Sequence, residues 1–202
     1  ISKAIPKVDG ADGMDPRQSQ EFRQIYGLET NSDPASTAVL RAALVVNTLQ
    51  GSTGPSVITI GGCDYHDGTQ IAGDTKDLEV GIEIGRAIEG AKRLKVPLFI
   101  HVITDGGIYP VENTRIWQGD SVDTCMSVIG YYDPKREPTY AVKGRTQIGA
   151  YTSLQSVNRS TLLGSSPALA ANAALANYMA VCGHLDDITT LYPGSLPVEQ
   201  LK

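Results

Sequence analysis

The chain has 202 residues, with 17 basic and 22 acidic side chains for a formal charge of -5, and 41% of its residues are hydrophobic. That balance supports a buried core and argues against disorder, and no Lys/Arg run is long enough to form a nucleic-acid footprint. The longest apolar runs, 42–46 and 96–100, fall far short of the ~20 residues that cross a bilayer, so no membrane span is expected.

Residues 1–14 carry Pro6, Gly10 and Gly13 among isolated charges and read as an extended lead-in. After Asp15-Pro16, the spacing of Phe22, Ile25 and Tyr26 predicts a short helix stopped by Gly27. A second helix is predicted from about 34 to 49, where Ala38, Leu40, Ala42, Ala43, Val46 and Leu49 form a wide apolar face. The β-branched run Ser56-Val57-Ile58-Thr59-Ile60 lies between Gly54-Pro55 and Gly61-Gly62 and predicts a buried strand over 56–62.

A polar stretch follows, and Asp74 or Thr75 then caps a predicted helix over 75–94. Its Leu78, Ile82, Gly85, Ile88 and Ala91 share one stripe, and Gly81 and Gly85 would let it pack closely on a sheet. A second buried strand is predicted over 97–104, which completes a right-handed strand-helix-strand unit. Beyond it, 122–132 reads as a third strand, 140–144 and 146–151 as shorter extended pieces, 168–181 as an Ala-rich helix stopped by Gly183, and 191–194 as a turn.

The fold expected from this order is α/β: three αβα layers around a mainly parallel sheet, alkaline-phosphatase-like. The expected organisation is a lead-in with a short helix over 1–33 and a single α/β domain over 34–202. Because the chain starts at Ile1 rather than Met, it is expected to be the carboxyl-terminal part of a longer protein. Cys63, Cys125 and Cys182 are scattered and include no Cys-x-x-Cys pair, so neither a disulfide framework nor a thiolate zinc site is indicated.

The segment richest in chemistry is Gly61-Gly62-Cys63-Asp64-Tyr65-His66-Asp67-Gly68, just past the carboxyl end of a predicted strand, where open α/β sheets place ligands. Asp64 and His66 are two apart, so in extended backbone they share a face and supply half of a divalent-metal site. Asp105, at the end of the next predicted strand, would complete a set suited to zinc, manganese or magnesium. Set against this, an Asp after Gly-Gly also makes Asx-turns, and a nearby His can simply hydrogen-bond the loop.

His101, inside an apolar strand, reads as a core histidine, and His184 as a partner of helix-end carbonyls. Glu112, Asn113, Arg115, Trp117 and Asp120 are rim candidates, and Asn158-Arg159-Ser160 has the form of a glycosylation sequon. Gly-x-Ser-x-Gly, Walker, dinucleotide and His-Glu-x-x-His patterns are absent.

Across roughly 36–197, the order of these features resembles the bacterial domain-of-unknown-function 1501 family, an offshoot of the alkaline phosphatase and sulfatase superfamily. The matching features are helix, strand, Gly61-Gly62-Cys63-Asp64-Tyr65-His66, helix, strand with an acidic-Gly turn, and a late helix before Tyr192-Pro193-Gly194. The sequence departs at Thr104-Asp105-Gly106-Gly107, which lacks the family's Arg, and at Gly119-Asp120-Ser121, which lacks its His.

The resemblance implies a metal-dependent hydrolase-like protein acting on phosphate or sulfate esters, periplasmic or extracellular, and inactive if an upstream segment must supply the nucleophile. Asp64 and His66 would then hold the metal, and Asp105 would be ligand or base. The alternative is a non-catalytic binding or self-assembling protein, whose partner is a protein, a second copy or a missing amino-terminal segment. A von Willebrand A-like module ranks last, since its Asp-x-Ser-x-Ser pattern is missing.

Overall fold

The computed structural model describes residues 13–63, 70–104, 107–110, 114, 116–121, 127–135, 149–150, 152–153 and 157–191. Helices dominate, and local chemistry sets most of their ends. Asp15 caps a 3-10 turn, Pro16–Gln18, by accepting from the Arg17 backbone, and the Arg17 guanidinium returns to its carboxylate at 2.7 Å. Ser19 caps α1, Gln20–Tyr26, which stops at Gly27 in the left-handed region at φ 65°. Ser36 caps α2, Thr37–Leu49, through the Val39 N–H.

The longest helix is α3, Gln70–Leu94. It begins five residues ahead of the predicted start, so Asp74 and Thr75 lie inside it, and the Thr75 hydroxyl donates to the Ile71 carbonyl at 2.9 Å instead of capping. At its far end Lys95 takes φ 55° and the Val96 N–H returns to the Ala91 carbonyl at 3.0 Å, a closing turn normally given to glycine.

Strands are short: β1, Leu98–Ile103; β2, Gly107–Pro110; β3, Trp117–Ser121; β4, Ser127–Tyr132. β1 pairs with β4, and β2 runs antiparallel to β3 with Tyr109 opposite Gln118 and Pro110 opposite Trp117. A 3-10 turn, Leu163–Ser165, precedes α4, Pro167–Val181, which Ser166 caps. The turn Leu185–Asp187 and a last short helix, α5, Ile188–Leu191, follow.

The described residues form two compact units, one from within 1–64, 71–98 and 132–135, the other from within 65–70, 99–131 and 136–202. The core of the first gathers Phe22, Tyr26, Leu28, Val39, Ala42 and Val46. α3 approaches it at Gly90, where a Cβ would stand 3.2 Å from Leu49 Cδ1 and 3.5 Å from Phe22 Cε1. In the second unit Ala176, Met179 and Ile188 form a smaller cluster, and Phe99 of β1 meets Tyr178 of α4 edge to face at 5.3 Å.

The three-layer αβα fold with a mainly parallel sheet does not form; the described strands make only two-stranded sheets beside predominant helix. The decisive difference is at 56–62, which belongs to no strand and leaves Val57 84% exposed. Ser56 instead donates to the Leu44 carbonyl at 3.1 Å and hydrogen-bonds the Thr48 hydroxyl, tying the segment to α2 by side chains. A β-branched run becomes a strand only when another backbone pairs with it, and here the polar contacts to the helix take that place. Of the predicted third strand, β4 supplies 127–132; 122–126, 140–144 and 192–194 lie outside the described residues.

Candidate functional site

The three predicted metal-site residues, Asp64, His66 and Asp105, all lie outside the described residues, as do Asp67, Glu112, Asn113 and Arg115. The approach to them is described: Gly61, Gly62 and Cys63 are exposed, Gly62 has φ 77°, and the Cys63 thiol donates to the Ile60 carbonyl at 3.4 Å. Among the described residues, no group of three or more His, Cys, Asp or Glu is placed to hold a metal ion.

The rim candidates Trp117 and Asp120 fall on β3. His101 is half-buried and shares a 3.0 Å hydrogen bond with Ser127 Oγ on β4. The ring of His184 pairs with Asp187 at 3.2 Å rather than with helix-end carbonyls; its backbone N–H makes that contact, to Met179 O at 2.8 Å.

The described feature with the most chemistry is a groove of about 500 Å³ in the first unit, between α2 and α3. Its apolar wall is Ala38, Leu78 and Ile82, and its polar floor is a chain of ion pairs. Arg41 reaches Glu79 at 3.0 Å and Glu83 at 3.6 Å, Arg86 reaches Glu83 at 2.9 Å, and Lys76 reaches Glu79 at 2.9 Å. The hydrogen bonds from Lys76 and Arg41 hold the Glu79 carboxyl below its ordinary range.

Arg86 also anchors α3 to α1, donating to the carbonyls of Ile25 at 3.3 Å and Tyr26 at 3.2 Å with its guanidinium 5.5 Å from the Tyr26 ring centre. Burial pushes the Tyr26 phenol far above its usual range, with the Glu83 charge adding to the effect, so it stays protonated. Among the described residues, Tyr26 Oη and Glu83 Oε2 are buried without a hydrogen-bond partner.

Every cation on the floor of this groove is answered by a carboxylate, so the surface it offers is nearly neutral. α3 also leaves large aliphatic side chains exposed: Leu78 at 65% and Ile82 at 43%, which line the groove, and Ile71 at 77%, which does not. Of the stripe that sequence periodicity predicted to pack inward, Leu78, Ile82 and Ile88 are exposed and Ala91 is buried. The buried face carries Gly73, Glu83, Gly90 and Ala91, of which the stripe included only Ala91.

Comparison with known proteins returns no matching family profile, no matching curated protein and no matching solved structure.

Proposed function

We propose that this chain works by association, as a non-catalytic binding or self-assembling protein whose contact face is the outward side of α3. The observation that supports this reading most is the row Ile71, Leu78 and Ile82, exposed on one side of a single helix beside a charge-balanced groove. Full burial of one such side chain is worth ~1.5–3 kcal/mol, so covering Leu78 and Ile82, one turn apart, favours a partner. Size-exclusion chromatography with light scattering tests it. The native protein is expected to assemble with rising concentration, and Leu78→Glu with Ile82→Glu to stay monomeric with unchanged helical circular dichroism. A native chain that remains monomeric at high micromolar concentration would sink self-assembly through this face.

A second reading rests on the pair Asp64 and His66 after Gly61-Gly62, together with Asp105 two residues past β1. In a metal-dependent hydrolase-like protein, a carboxylate and a neutral imidazole would hold zinc, manganese or magnesium, and Asp105 would be ligand or base. The donor types suit such an ion, and a phosphate or sulfate ester would be the substrate by family resemblance, with a periplasmic or extracellular location. Stoichiometric metal in the purified protein, lost in Asp64→Ala and His66→Ala, supports this reading; native protein that takes up none when offered zinc or manganese overturns it.

A further inference from the structure

We draw no further inference here: the strongest candidate, the groove between α2 and α3 with Leu78 and Ile82 exposed along it, belongs to the surface already described, its guanidiniums are already paired with Glu79 and Glu83, and nothing in the structure shows what covers it.

Discussion

Tyr26 shows how one residue serves two environments. Its ring lies in the first core under the Arg86 guanidinium, while its hydroxyl is buried without a described partner. A buried polar group that makes no hydrogen bond retains its desolvation cost, so Tyr26→Phe should leave stability unchanged or raise it by up to ~1 kcal/mol. Thermal unfolding measures this, and a clear loss of stability would reveal a partner for the hydroxyl. Lys95 is a second case, a side-chain-bearing residue at φ 55° that closes α3. Lys95→Gly removes the steric cost of the left-handed region and is expected to stabilise the chain by ~1 kcal/mol in chemical denaturation, with the helix ending where it does now.

Among the elements, α2 and α4 were legible because their signals are local: apolar residues at helical spacing in α2, and an Ala-rich run stopped by Gly183 in α4. The 56–62 segment was misread because nothing local tells a β-branched run tied to a helix through Ser56 from one paired in a sheet. α3 was found, but most of the stripe predicted to face inward is outside: Leu78, Ile82 and Ile88 are exposed while Ala91, the ion-paired Glu83 and two glycines fill the buried side. Another contact that sequence does not reveal is at Gly164, in the turn before α4. A Cβ there would stand 2.2 Å from Asn158 O and 2.7 Å from Thr161 Oγ1. Gly164→Ala should therefore cost ~2–3 kcal/mol, because the obstruction is backbone and cannot swing away; urea melts following α4 helicity would show it. A substitution tolerated without loss would mean that the turn reshapes freely.

At the scale of the molecule, the described helices and short strands gather into two units with separate small cores, and acid should act on the first through its surface carboxylates. Asp15 and Glu79 both titrate below their ordinary values because guanidinium or ammonium groups hydrogen-bond their charged forms. A depressed folded pKa contributes stability that is complete above the unfolded value and is lost as pH falls through the folded one. The melting temperature should hold steady down to about pH 5 and then fall toward about pH 3, the range where free carboxyls titrate. High salt at neutral pH should reproduce only part of that fall, since both pairs are partly solvated. A melting temperature flat across the acid range would remove these pairs from the account.

No helix of the described residues is long and apolar enough to cross a membrane, in line with the short apolar runs of the sequence. The sequence by itself determined that α1, α2 and α4 are helices and that α1 stops at Gly27, because apolar spacing and left-handed glycines act within a few residues of the bonds they complete; the start of α3 it placed five residues late. Only the tertiary structure decided which faces are inside, whether a β-branched run finds a partner strand, and which glycines are contact points rather than hinges. Those outcomes depend on what lies across the gap from a side chain, which spacing along one chain does not encode.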